Sequence, residues 1–248
     1  MMFRRFNLSH IIAGCFIAIT FSACGYFMSV PQLTDADNNA VVNLGDSIFA
    51  LSGDIYTELH AYAGQTFRHY AVSGTQMIGG ILGPSIPTQY QYAKSDDPAI
   101  DIVYMDGGGN DVLLPAIAFD LYDCKTCDDF WCELSQSCKD LIDDVYVARV
   151  DLFNEMAEDG VQQVVTLGYY PPTQGTFGDL STLEEACVYG NETTYQSCLV
   201  SNLNNCVVID PTDAFEGNES TYITSDGIHP TEAGSKVLAD MIWEELAL

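Results

Sequence analysis

Short apolar runs alternate along this chain with longer stretches of helical periodicity, and few architectures accept that alternation. Val41–Leu44, Ala99–Met105, Val161–Leu167 and Cys206–Ile209 are each too brief for a stable helix, and Phe67–Val72 reads as a further strand. Between them, apolar residues at Ile48, Leu51, Ile55, Leu59 and Tyr62 predict a helix over 48–62, with Gly64 as its stop. Leu141, Val145, Ala148, Leu152 and Met156 predict a second helix over 141–157, closed by Gly160. A third is expected over 231–246, behind Pro230. Near-continuous apolar strands separated by helices imply a parallel sheet of about five strands covered on both faces. Residues 123–140 and 173–205 fit neither period and are expected to be loops at the rim of the sheet.

In open parallel sheets the carboxyl ends of the strands are where ligands bind, and three such ends here carry unusual polar sequences. Gly45-Asp46-Ser47-Ile48 puts a serine directly after a strand, at the start of a helix. Alone it is equally a helix N-cap, a position that favours Ser. Gly107-Gly108-Gly109-Asn110-Asp111 allows close approach of backbone to ligand, and Asn110 offers a side-chain N–H to a developing oxyanion. It is no phosphate cradle: neither the dinucleotide nor the Walker spacing is present, and Asp106 and Asp111 flank it. The third, Ser225-Asp226-Gly227-Ile228-His229-Pro230, carries the best-placed general base among the four histidines. His10 sits near the N-terminus, His60 in a helix and His69 in a strand. Asp226, three residues before His229, is positioned to orient its imidazole across the Gly227 turn.

Taken together, Gly-Asp-Ser, Gly-x-Asn-Asp and Asp-Gly-x-His-Pro, in this order, resemble the SGNH/GDSL hydrolase family, with Ser73-Gly74 after the second strand resembling the family's glycine block. The likeness runs from Val41 to Leu248; Ile48 stands where the family usually has Leu, and the Cys-rich insertions depart from its pattern. The resemblance implies a three-layer α/β/α, flavodoxin-like fold and a serine esterase. It implies Ser47 as nucleophile, His229 as general base and acid and Asp226 as the orienting carboxylate. The Ser47 and Gly74 N–H groups and the Asn110 amide would form the oxyanion hole. No metal and no organic cofactor is needed. Implied substrates are carboxylic esters: short acyl, lipid or O-acetyl sugar esters. A binding lipoprotein that keeps the fold without turnover is the rival reading.

The N-terminus reads as an export signal. Arg4 and Arg5 precede an apolar stretch from Ile11 to Ala23, too short for a confident membrane span. Phe21-Ser22-Ala23-Cys24 resembles a bacterial lipobox, with Phe in place of the usual Leu, which makes Cys24 the expected lipidation site and membrane anchor. The expected organisation is a signal over 1–23, a tether over 24–40 and a hydrolase domain over 41–248. Gly25 rather than Asp after the lipidated Cys resembles outer-membrane sorting if the source is Gram-negative.

Export also explains the nine cysteines. Those of the mature chain cluster over 124–138 and 187–206 and are expected to form disulfides, leaving one thiol over. A zinc site at Cys124, Cys127, Cys132 and Cys138 lacks a nearby His, and a redox role for Cys124-Lys-Thr-Cys127 suits a reducing compartment better. With 48% hydrophobic and 17% charged residues the chain is no disordered polymer. Its formal charge of −27 argues against nucleic acid as a partner and against docking on anionic lipid through basic residues.

Overall fold

The computed structural model describes residues 30–79, 83–125 and 134–248. The signal segment, Cys24, Cys127 and Cys132 lie outside the described residues. The core is a parallel sheet of five strands: β1 (Asn38–Leu44), β2 (Phe67–His69), β3 (Ile102–Met105), β4 (Gln163–Leu167) and, last in the chain, β7 (Cys206–Ile209). They lie in the order β2-β1-β3-β4-β7. β5 (Gln174–Gly175) and β6 (Gly178–Asp179) form a small antiparallel pair of their own.

Alternation along the strands sorts side chains to two faces. Val41, Tyr104, Val165 and Ile209 face α2 (Asp54–Ala63) and α9 (Glu232–Glu245), where they meet Leu59, Leu238 and Ile242. Val42, Leu44, Val103, Met105 and Val164 face α3 (Ile86–Asp96) and α5 (Gln136–Asp159), against Tyr90, Phe153 and Met156. Both faces of every central strand are therefore buried, which is why these segments read as runs rather than as alternation. Truncating a side chain such as the fully buried Phe153 to Ala would cost about 3–5 kcal/mol. This is the three-layer α/β/α arrangement. Its first two strands run outward in one direction and the rest in the other, so the switch point falls between β1 and β3.

Several expectations are corrected. The helix expected over 48–62 is two, α1 (Ser47–Ala50) and α2, parted where Gly53 takes a left-handed φ of 72°. α3, behind the Ser85 cap, and α4 (Gly109–Ala118) were not anticipated from the apolar pattern. α5 begins at Gln136, capped by Ser135, so the end of the 123–140 segment is helical. The largest departure is α6 (Glu184–Val200), inside the stretch expected to be a loop. Its buried residues include Asn191, Thr193, Thr194 and Ser197, so hydrophobic periodicity has nothing to detect. α7 (Thr212–Phe215) and α8 (Glu219–Tyr222) are single turns. N-terminal to Val41 the chain is already part of the fold, as Leu33 pairs with His69 and Val30 N–H donates to Ala50 O.

Disulfides join Cys124 to Cys138 and Cys198 to Cys206. The first removes Cys124 from any pairing with Cys127, and among the described residues no cluster of metal-ligating side chains exists. Cys187 is the free thiol among the described residues. No described helix is long and apolar enough to cross a membrane.

Candidate active site

The loops singled out in the sequence converge beyond the carboxyl ends of β1, β2 and β3, with the 225–230 turn folded over them. Ser47 is the first residue of α1, and Asp46 caps that helix by accepting from Ile48 N–H at 3.0 Å. Ser47 Oγ lies 2.9 Å from His229 Nε2. His229 Nδ1 lies 2.7 Å from Asp226 Oδ2. The other oxygen of Asp226 accepts the Thr224 hydroxyl at 2.7 Å and the Ile228 and His229 N–H groups at 2.9 and 3.0 Å. Burial pushes the Asp226 carboxyl upward, but the His229 ring and these N–H groups outweigh it and hold it below the ordinary carboxylate range. It is therefore ionised wherever the ring needs an acceptor at Nδ1.

The turn carrying His229 is tied down from outside. Tyr170 donates its hydroxyl to Ile228 O at 2.6 Å and stacks on Phe215 with centroids 4.0 Å apart. Thr173 N–H donates to Gly227 O and Thr224 N–H to His229 O, both at 2.8 Å.

Across the site, Asn110, in the first turn of α4, donates one amide hydrogen to Thr75 O at 3.0 Å. This fixes the amide plane and leaves the second hydrogen for another acceptor. Gly74 sits in the neighbouring turn at φ 79°. Val72 N–H of the same loop donates to Gly45 O at 3.1 Å. Gln89 laces these loops from below, accepting from Gly45 N–H and donating to Gly45 O and Thr75 Oγ1. Asp111 accepts from Met77 and Ile78 N–H; burial raises it to about 6 against those bonds.

Two buried carboxyl groups to which the sequence assigned no catalytic role, Asp106 and Asp46, lie next to the serine. Asp106, at the end of β3, is wholly buried and accepts Asp46 N–H at 2.7 Å through Oδ1; its Oδ2 is unpartnered. A Cβ at Gly45 would collide with that Oδ1, so glycine there is dictated by Asp106. Asp46 accepts the Tyr169 hydroxyl at 2.8 Å. Burial raises both carboxyls, Asp106 far more, and the Asp46 charge adds to it, so Asp106 is the one that keeps its proton.

A cavity of about 110 Å³ opens beside Ser47 and Asn110. A water needs roughly 10–15 Å³ on the same measure, so roughly seven or more heavy atoms fit. Its walls are largely apolar, with Ile48, Val112, Ile142, Val145 and Leu183 among them, and α6 adds Cys187, Asn191, Thr193 and Thr194. Burial pushes the Cys187 thiol up to about 12. Arg149, from α5, lines the same cavity; it lies on the stripe between Val145 and Leu152, where a charged residue among apolar ones was the signal for it.

No family model matches the sequence, and no curated protein does. Solved structures do match in fold. A candidate SGNH hydrolase from Slackia heliotrinireducens superposes with a TM-score of 0.55 at 17% identity, over 83% of this chain and 97% of that one. A candidate GDSL-like lipase from Parabacteroides merdae gives 0.57 at 15% identity, over 87% and 98%. The acetylxylan esterase Axe2 from Geobacillus stearothermophilus gives 0.51 at 18%, over 84% and 94%. The chain has the SGNH hydrolase fold.

Proposed function

We propose that this protein is a serine esterase that cleaves carboxylic esters through an acyl-enzyme on Ser47. One observation carries the reading: the continuous relay from Ser47 Oγ through both ring nitrogens of His229 to Asp226, at 2.9 and 2.7 Å. An unassisted serine hydroxyl is a poor nucleophile at neutral pH, and the relay supplies what it lacks. As Ser47 Oγ bonds to the ester carbon, its proton passes to His229 Nε2, and Asp226 stabilises the imidazolium. The carbonyl oxygen gains charge and is met by the free Asn110 hydrogen and by the Ser47 and Gly74 N–H groups. When the ester C–O bond breaks, His229 returns the proton to the departing alcohol. Water repeats the sequence, with His229 again taking and returning a proton, and the acid leaves. Every proton is moved by this chain's own side chains.

His229 does not line the cavity that Ser47 and Asn110 share. The alcohol must depart toward His229, so the cavity belongs to the acyl group. The acetylxylan esterases among the structural neighbours make an acylated polysaccharide one natural substrate to try. Export through the N-terminal signal and anchoring through lipid on Cys24 complete the proposal, which places the esterase in the cell envelope.

A fluorophosphonate probe tests it. Labelling of the wild type at Ser47 and none of Ser47→Ala is expected. An unlabelled, correctly folded wild type would leave the binding-protein alternative standing.

A further inference from the structure

Arg149 is out of keeping with its surroundings. It is 3% exposed, among apolar side chains, on the wall of the acyl cavity. Of its five N–H donors only one is satisfied in a described contact, Nη2 to Gly107 O at 2.8 Å. Nε and Nη1 are buried without a partner. Asp111 is the carboxylate whose charge reaches it, but both Asp111 oxygens are spent on Met77 and Ile78 N–H. No ion pair to Arg149 exists among the described residues. A guanidinium kept for scaffolding alone would be expected to use its donors, because burying a charge unpaired is strongly unfavourable.

We propose that Arg149 is the recognition group for the distal end of the acyl chain, and that this chain ends in a carboxylate. The inference rests on the esterase reading above and adds the substrate class. Three features select a carboxylate over a neutral acceptor. Nη2 keeps a second hydrogen, which a carboxylate oxygen can accept in a charge-assisted bond. An anion also neutralises the buried charge, which a carbonyl or hydroxyl does not. The apolar side chains that line the cavity along with Ser47 and Arg149 suit methylenes joining the two ends. The substrate is then a half-ester of a short dicarboxylic acid, and the product a dicarboxylate.

The test compares monomethyl succinate, glutarate and adipate with methyl butyrate, valerate and hexanoate and with dimethyl glutarate, acid release being followed at constant pH. At least one half-ester should exceed both the neutral ester of its chain length and dimethyl glutarate in kcat/KM by about tenfold or more. In Arg149→Met that preference should vanish or reverse. Should the variant fail to fold, binding to Ser47→Ala decides instead: the matching dicarboxylate should bind at least about tenfold tighter than the monocarboxylate. Neutral esters cleaved as well as half-esters would overturn the inference while leaving the esterase standing. Hydrolysis of no ester at all would instead remove the reading beneath it.

Discussion

Replacing Asp226 by Asn isolates what the carboxylate does for His229. The oxygen that takes three donors, the Thr224 hydroxyl and the Ile228 and His229 N–H groups, can be matched only by the amide oxygen. The amide NH₂ is therefore forced to face His229 Nδ1, where a carboxylate oxygen stood at 2.7 Å. An amide nitrogen only donates, so Nδ1 must accept and the ring proton moves to Nε2. Nε2 then cannot take the Ser47 proton. The expected loss is about 10⁴ in kcat, the scale seen when a triad's ring is held in the wrong tautomer. Folding should be nearly untouched, since the three donors keep their acceptor. Asp226→Ala removes it, costing up to about 3 kcal/mol at about 1 kcal/mol per bond. That is a fall of up to about 12 °C in Tm for a domain of this size. The assay is turnover of p-nitrophenyl butyrate beside thermal melts of both variants. A kcat for Asp226→Asn within tenfold of wild type would refute the tautomer argument.

Asn110→Ala should lower kcat by about 10²–10³ with a much smaller change in KM, because the missing bond strengthens as charge develops on the oxyanion; steady-state kinetics separate the two. Asp106→Asn should gain stability over wild type as pH rises. Burial raises the Asp106 carboxyl, so the folded state holds a proton that the unfolded chain has lost, and wild-type stability falls with pH through that interval. Asn imitates the protonated acid and does not titrate; melts between about pH 4 and about pH 8 should show the gap widening upward. Cys187, half-buried and with its thiol held near 12, should resist iodoacetamide in the native protein at mildly alkaline pH and react in denaturant. Mass spectrometry of its peptide reads this directly.

The five-stranded sheet was legible because each strand is buried on both faces, and a run such as Ile102–Met105 admits few other readings. Gly-Asp-Ser and Gly-x-Asn-Asp were legible because they directly follow β1 and β3; the third expected strand end is not one, since Asp226 and His229 follow α8, and that turn was legible from its residue types alone. α6 was not legible, because a helix that buries Asn191, Thr194 and Ser197 and exposes Leu199 and Val200 inverts the pattern that sequence reading depends on. Gly53 showed only as one residue inside a good helical period, yet its backbone splits the helix. Asp106 and Arg149 were hidden for a different reason. Asp106 closes an apolar strand and Arg149 sits on the buried stripe of a helix, and only tertiary placement shows that one lies under the serine and the other on the wall of its cavity.

The wall formed by α6 is fastened along its length. Asn191 holds both the N–H and the carbonyl of Tyr169, Tyr189 reaches Asp143 on α5, and the Cys198–Cys206 bridge ties the last turn to β7. A partition bolted at so many points is a poor trapdoor. On the esterase reading, α6 should not swing as a cover, and turnover should climb smoothly through the solubility limit of an oily ester without the jump that lipid droplets provoke where a helix must move aside.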